Sequence, residues 1–538
     1  MNSSHAIRFS DAIIQILESE NVKHIFGHPG EQILPLYDAL RKSEIKHILT
    51  RHEQGAAHAA DAYARITGKF GICIASAGPG ALNLTMGIAT AYKDSVPMLV
   101  ITGDTPTDLK GGNVFQEIEV CKVFKPITLK SSNIENPEEG ILKLKEAINM
   151  LKHGKTGPVH LSIPKDVLED QVYKSLIHKK IIFPSKTNLK DLNTRVNTAI
   201  KAIENAKKPV ILVGAGVIWS NATDKVLNFA EKHKIPFSTT YHAMGIYSYE
   251  HPLYLGMMGT RGTEASNYAA ENSDFLIVLG SRLSERTRAC IGNCQIIQVN
   301  LDEDNLKGDI NIQQDVGALI DSLNELKVLK NEEWLKELST YSTIHKIKTD
   351  YDNVPIKPQT AIQDILDAAE DSIIVNDAGS HTTWLTLLYK AKKSSSFIFS
   401  GGFAPMGYAI PGSVGASLAN PQKNIVVIVG DGGFQMTSQE LATIAQLNLP
   451  ILICIINNSS LGIIKQWQKI YYGKTYEVEL QNPDFIKLAE SYHIKAKRIK
   501  SPLKVFQTVK KALNLRKPYL IEIIVDKEEG IPLVNTKT

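Results

Sequence analysis

The chain has 538 residues, too many for one hydrophobic core, and its length predicts roughly three domains. Its 43% hydrophobic and 22% charged residues are an ordinary globular balance, and a net charge of +4 with scattered Lys and Arg gives no footprint for a nucleic-acid partner. Cys73, Cys121, Cys290, Cys294 and Cys454 are too few for a disulfide framework and point to a reducing, cytoplasmic setting; residues 1–10 carry no signal-peptide pattern, and no apolar run reaches the ~18 residues that span a membrane.

The first segment opens with an amphipathic helix over 10–20, followed by strands over 71–75 and 98–102. A Lys-rich stretch over 174–192, containing Lys179-Lys180 and Pro184, reads as a linker. Beyond it, Val210-Ile211-Leu212-Val213 predicts a strand running into Gly214-Ala215-Gly216, and further strands are predicted over 275–279 and 296–299. A second charged linker spans 327–358. The last segment predicts strands over 372–375, 424–429 and 450–456, with a helix over 437–448 joining the last two. Short β-branched runs alternating with longer helical patterns predict a doubly wound parallel sheet in each segment.

The turn Gly430-Asp431-Gly432-Gly433 follows one of these buried strands, and Asn457-Asn458 ends the next. Glycines allow the backbone to approach a ligand closely, and the carboxyl ends of such strands are where open α/β sheets bind ligands. A carboxylate and an amide oxygen there are hard ligands, suited to Mg²⁺ holding a diphosphate. Arg51-His52-Glu53-Gln54-Gly55 opens a helix of small residues, where Glu53 alone reads as a charge favoured by the helix dipole. Ser76-Ala77-Gly78-Pro79-Gly80-Ala81-Leu82-Asn83 is a tight glycine turn after a strand.

The run from Gly430-Asp431-Gly432 to Asn457-Asn458 resembles the signature of thiamine-diphosphate enzymes. From about Phe26 to about Val534 the chain resembles the large, catalytic subunit of acetohydroxyacid (acetolactate) synthases. The resemblance implies an α/β fold of three doubly wound domains: a pyrimidine-binding domain over 1–175, a Rossmann-like, FAD-binding-like domain over 190–330, and a diphosphate- and Mg²⁺-binding domain over 355–538. Glu53 matches the glutamate that bonds N1′ of the cofactor's aminopyrimidine. Gly78 and Asn83 fall near that ring, and Phe115-Gln116 matches a pair beside the reactive carbon. Gly379, Ser380 and His381 match the diphosphate loop, with Gly430, Gly432 and Gly433. Met406 matches the wedge that bends the cofactor. Asp431, Asn458 and Ser460 match the Mg²⁺ ligands, and Arg286 and Trp467 match residues that meet the second substrate.

The implied reaction decarboxylates pyruvate and passes the two-carbon unit to pyruvate or 2-ketobutyrate, on the route to branched-chain amino acids. A homodimer or homotetramer with sites at the interface and a regulatory small subunit are implied partners. Gly214-Ala215-Gly216 and the 280–286 loop resemble FAD-binding loops, although the loop after Arg286 is shorter than usual. Three positions depart from the family. Glu31 stands in Pro29-Gly30-Glu31-Gln32, where Pro-Gly-Gly-Ala is usual. Leu129 replaces a Lys, with Lys130 one residue late. Ala404 replaces a Gly. Glu31 keeps open a rival, a non-oxidative 2-keto acid decarboxylase. A second rival is a binding protein that has lost catalysis, against which Glu53 argues.

Overall fold

The computed structural model describes residues 6–179, 181, 189–323, 325–392 and 396–532, with 189–191 described by their backbone alone. Lys180 and Pro184 of the first linker lie outside the described residues. Three six-stranded sheets, all parallel, build the molecule. The first comprises β1 (His24–Gly27), β2 (Lys46–Leu49), β3 (Gly71–Ala75), β4 (Met98–Asp104), β5 (Lys130–Asn133) and β6 (Pro158–Pro164), in spatial order β2-β1-β3-β4-β6-β5. The second comprises β7 (Pro209–Val213), β8 (Phe237–Thr239), β9 (Tyr254–Met257), β10 (Phe275–Leu279), β11 (Gln295–Val299) and β12 (Ile310–Ile312), in order β9-β8-β7-β10-β11-β12. The third comprises β13 (Ile373–Asn376), β14 (Phe397–Ile398), β15 (Ile425–Gly430), β16 (Ile451–Asn457), β17 (Lys495–Ile499) and β18 (Tyr519–Ile524), in order β14-β13-β15-β16-β18-β17.

The first and third sheets therefore share one strand order, and the central sheet has the order of a dinucleotide-binding fold. In each outer sheet the order reverses between the first and third strands in sequence. Ligands bind at such switch points, outside the carboxyl ends of the strands. Continuous apolar strands such as Ile425-Val426-Val427-Ile428-Val429 are buried throughout, as parallel sheets covered on both faces require.

Two helices join the outer domains. α1 (Glu53–Thr67) packs on α2 (Ala409–Ala419), with Ala59 against Gly415 and Ala62 against Gly412. A Cβ at Gly415 would stand 1.9 Å from the Ala59 carbonyl oxygen, so only glycine permits this approach. Charges then lock the domains. The Arg65 guanidinium donates to Asp61 at 2.6 Å and to Asp94 at 2.8 Å, both carboxylates having fully buried side chains. Tyr408 donates to Asp61 at 2.6 Å, and Asp94 meets His242 of the central domain at 3.0 Å and the Gly402 N–H at 2.8 Å. Buried charges survive only when paired in this way.

Two expectations need correction. The linker over 327–358 contains a helix, Glu332–Leu338, whose Trp334 is buried and donates to the Pro209 carbonyl at 3.3 Å. This part belongs to the central domain. The helix placed over 437–448 begins earlier: α3 (Asp431–Thr437) starts at the aspartate, followed by a 3-10 turn and α4 (Leu441–Gln446). No helix among the described residues is long and apolar enough to cross a membrane.

Candidate active site

The switch point of the third sheet gathers the diphosphate-loop and metal-ligand candidates. Gly430 ends β15 and Asp431 is the first residue of α3, where the helix dipole favours a carboxylate. Asp431 is buried, and its carboxylate accepts the Asn482 amide at 2.7 Å. Burial pushes its carboxyl up, and the Asn482 amide opposes this. Asn458 accepts the Ser460 N–H at 3.2 Å, while the Ser460 hydroxyl donates to Val478 at 3.0 Å.

Across the switch point, Gly379 precedes the helix Ser380–Leu388. The His381 imidazole folds back against Gly379 and Gly430, where added Cβ atoms would meet its ring at 2.8 and 3.3 Å. Burial lowers His381 to about 4, so the ring is neutral, and its Nε2 is buried without a partner. Gly432 lies close to Met406, whose methyl carbon would stand 3.3 Å from an added Cβ.

These features fit a bound diphosphate. A helix start, glycines and an unpartnered ring nitrogen surround one carboxylate. Among the described residues no group of three or more His, Cys, Asp or Glu could hold a metal ion. The set at Asp431 is one carboxylate with amide and carbonyl oxygens, which suits Mg²⁺ completed by phosphate oxygens.

The pyrimidine-side candidates gather at the switch point of the first sheet. Glu53 opens α1, and its Oε2 accepts the Asn83 amide at 3.0 Å. Gly78 has φ +51°, and a Cβ there would stand 2.4 Å from the Gln116 carbonyl oxygen. Gln116 itself adopts φ +62°, a strained conformation of the kind that concentrates at functional sites. Phe115 beside it is 78% exposed.

A cavity of about 1230 Å³ lies between the three domains. Gly379, Met406, Trp467 and Arg286 line it together. None of Glu53, Gly78, Asn83, Phe115 and Gln116 does so. The pyrimidine-side candidates therefore lie outside the cavity that Gly379 and Met406 line. The cavity also reaches the carboxyl ends of β7, β10 and β11 through Gly216, Gly280 and Asn300, and Arg261 and Arg282 stand beside Arg286. Gly214 and Gly216 pack directly on Gly280, where an added Cβ would stand 2.3 or 2.6 Å away.

The three residues that depart from the family occupy different surroundings. Glu31 begins a 3-10 turn after β1 and is exposed, 3.9 Å from the Lys165 ammonium. Lys130 does not replace the missing Lys, because Glu146 holds its ammonium at 2.7 Å, while Leu129 packs on the first domain's core. Ala404 has φ +53°, the conformation a glycine adopts freely. Gln32 and Asn482 were not legible as site residues. Gln32 has a buried, unpartnered side-chain oxygen, with its N–H on the Ser76 hydroxyl at 3.3 Å. Asn482 joins Asp431 to Asn457 from a loop that reads only as a polar turn before a helix.

Family models for the N-terminal thiamine pyrophosphate binding domain, the central domain and the C-terminal thiamine pyrophosphate binding domain of thiamine pyrophosphate enzymes match residues 7–123, 196–324 and 377–523. Fold and site thus define a thiamine-diphosphate-dependent enzyme. A probable acetolactate synthase large subunit of Methanocaldococcus jannaschii is 41% identical over 98% of this chain and 93% of the relative. The acetolactate synthase large subunits of Porphyra purpurea and Lactococcus lactis subsp. lactis are each 36% identical over 97% of this chain and 93% of theirs. Within that class, the chain belongs to the family of acetolactate synthase large subunits.

Proposed function

We propose that the protein joins two 2-keto acids as an acetolactate synthase, with pyruvate as donor and pyruvate or 2-ketobutyrate as acceptor, in branched-chain amino acid biosynthesis. The observation that carries this reading is the shared lining of one cavity by Gly379, Met406, Arg286 and Trp467. It sets an apolar wall and a guanidinium beside the diphosphate loop, the features a second 2-keto acid needs.

When bound, thiamine diphosphate supplies a C2 carbanion that takes up pyruvate and lets CO₂ leave. Glu53 holds a proton at N1′ of the pyrimidine ring, and Asn83 orients its carboxylate. Gly78 provides the turn against that ring, and Gln116 donates to substrate next to it, with Phe115 covering the site. Asp431, Asn458 and the Ser460 carbonyl would hold Mg²⁺. Ser380, His381, Gly379, Gly430, Gly432 and Gly433 would hold the diphosphate, and Met406 would pack against the cofactor between its two rings. Arg286 pairs with the acceptor carboxylate, and Trp467 fills apolar space around its alkyl group.

Because the pyrimidine-side candidates do not share the cavity lined by Gly379 and Met406, a cofactor would be held between the first domain of one protomer and the third domain of another. Exposed Phe115, Met86 and Leu34 beside one half-site, and Phe403, Met436 and Tyr472 in the third domain, supply apolar surface for that homodimer or homotetramer. The central cavity would hold FAD at the carboxyl ends of β7, β10 and β11, where Arg261, Arg282 and Arg286 supply charge for its phosphates. A regulatory small subunit and a cytoplasmic setting complete the reading.

A decarboxylase remains the second reading, favoured by Glu31 at the end of β1. Mass spectrometry of products from pyruvate, with and without 2-ketobutyrate, separates the two. Acetolactate and acetohydroxybutyrate are expected; free acetaldehyde as the main product would refute the synthase.

A further inference from the structure

Glu440 has no role in the reaction above, yet it is a carboxylate with no exposed surface. It ends the 3-10 turn Ser438–Glu440 that follows α3 in the third domain. Two of its partners lie in the first domain. Oε1 accepts the main-chain N–H of Arg51 at 2.9 Å and that of His52 at 3.1 Å. Oε2 accepts the Thr443 hydroxyl at 2.7 Å on its own side.

Arg51 and His52 immediately precede Glu53, the first residue of α1. The Arg51 guanidinium adds a second tie, donating to Gln446 of α4 at 2.6 Å. Gly55 makes room for the carboxylate, since a Cβ there would stand 2.5 Å from Oε1. A glycine in a helix weakens it, and here that cost admits the buried acid. The two Glu440 bonds tie the chain entering α1 to the third domain. The Glu53 side chain, in turn, is bonded to the Asn83 amide. Its aim therefore depends on where its own main chain is held.

We propose that Glu440 is a positioning residue for Glu53. It clamps the two amides before α1 and so fixes where the Glu53 carboxylate meets the pyrimidine ring. The proposal rests on the assignment of Glu53 to that ring. A misplacement of about 1 Å at such a contact costs on the order of 10²-fold in rate.

The test uses full-length Glu440→Ala, Glu440→Gln, Gly55→Ala and Glu53→Gln beside wild type. Amide hydrogen exchange of the cofactor-free protein reads Arg51 and His52 directly. With thiamine diphosphate and Mg²⁺ added, titration reads cofactor affinity and C2 proton exchange reads activation. Glu440→Ala should unprotect both amides and slow C2 exchange on the order of 10²-fold, with much smaller change in affinity. Glu440→Gln keeps an oxygen acceptor and should restore both readouts toward wild type. Gly55→Ala drives a methyl group into Oε1 and should slow C2 exchange in a protein that still binds cofactor.

Wild-type C2 exchange in Glu440→Ala overturns the proposal. So does equal slowing in Glu440→Ala and Glu440→Gln with the amides still protected. If Glu440→Ala fails to fold, a wild-type C2 rate in Gly55→Ala overturns it instead. Glu53→Gln keeps the failures apart. Wild-type C2 exchange there sinks the Glu53 assignment and the proposal with it. Slow exchange there, beside a wild-type rate in Glu440→Ala, sinks the role of Glu440 alone.

Discussion

The Asp377 carboxylate accepts the Gly407 N–H at 2.9 Å and so ties the turn carrying Met406 to the end of β13. It also accepts the Ala409 N–H at 2.9 Å, fixing the start of α2, and the Ala378 N–H at 2.8 Å. Asp377→Ala orphans three main-chain donors, each worth about 1–3 kcal/mol when buried unpaired. We predict a melting temperature well below wild type and weakened cofactor binding, because Met406 loses its support. Asp377→Asn should fall between the two. A wild-type melting curve for Asp377→Ala would show that other contacts hold the turn.

His58 and His160 are buried, and burial lowers each to about 3. His160 meets the Thr102 hydroxyl at 2.9 Å and the Ser131 hydroxyl at 2.8 Å, with no carboxylate. As pH falls, the unfolded chain takes up these protons first. Unfolded histidine protonates near 6.5, and these two stay neutral in the folded protein until about pH 3. Stability from these groups is therefore complete above about pH 6.5 and is lost as pH falls toward 3. His160→Gln should make the fall in melting temperature between pH 6.5 and 4.5 shallower, since each group contributes up to ~1.4 kcal/mol per pH unit. A slope identical to wild type would mean that His160 does not drive the acid loss.

Asp431 and Asn458 were readable because each follows a continuous apolar strand, and that pattern alone fixes them at a strand end. Their partners were not readable. Asn482 lies 51 residues from Asp431, and Glu440 lies 389 from Arg51. No local pattern reports a contact at that range. The start of α3 was misplaced because Gly432 and Gly433 argue against a helix, whereas the buried turn and the dipole-favoured Asp431 establish one. The second linker misled for a similar reason. Its dense charge hides Trp334, whose burial against Pro209 anchors the helix to the central sheet.

Asp431→Ala removes the only carboxylate assigned to the cation and should weaken Mg²⁺-dependent cofactor binding far more than it lowers the melting temperature. Asn482→Ala leaves the carboxylate but frees it to rotate. It should cost about 10–100-fold in Mg²⁺ affinity, the usual effect of losing an outer partner. Isothermal titration of thiamine diphosphate with Mg²⁺ measures both. Wild-type affinity in Asp431→Ala would remove the metal site from this position.

Trp467 stacks on Tyr471, with ring centroids 5.7 Å apart and planes 19° from parallel, and lines the cavity with Arg286. Trp467→Leu should shift the acceptor preference from 2-ketobutyrate toward pyruvate by roughly 1–3 kcal/mol, the range for a small change in an apolar pocket. Arg286→Ala should instead weaken both acceptors, because they share a carboxylate. Competition between the two acceptors reads these effects. An unchanged product ratio in Trp467→Leu would assign the indole to packing on Tyr471.

Glu31 is the residue whose substitution tests the choice between the two proposed reactions. It stands at the carboxyl end of β1, exposed, with the Lys165 ammonium 3.9 Å away. That distance permits only a loose, water-screened ion pair. Among the described residues Glu31 therefore has only this loose contact to hold its carboxylate in place. A carboxyl that turned inward could hand a proton to the carbanion and release acetaldehyde. One that stays with Lys165 leaves the carbanion to attack a second keto acid. The acceptor-side lining by Arg286 and Trp467 favours the second course, so acetolactate should dominate in the wild type and in Glu31→Gly. Lys165→Ala should raise any aldehyde side product by freeing Glu31. Aldehyde and acetolactate are assayed together from pyruvate alone. If wild type yields mainly aldehyde and Glu31→Gly restores acetolactate, Glu31 is the proton donor and the decarboxylase reading replaces the synthase.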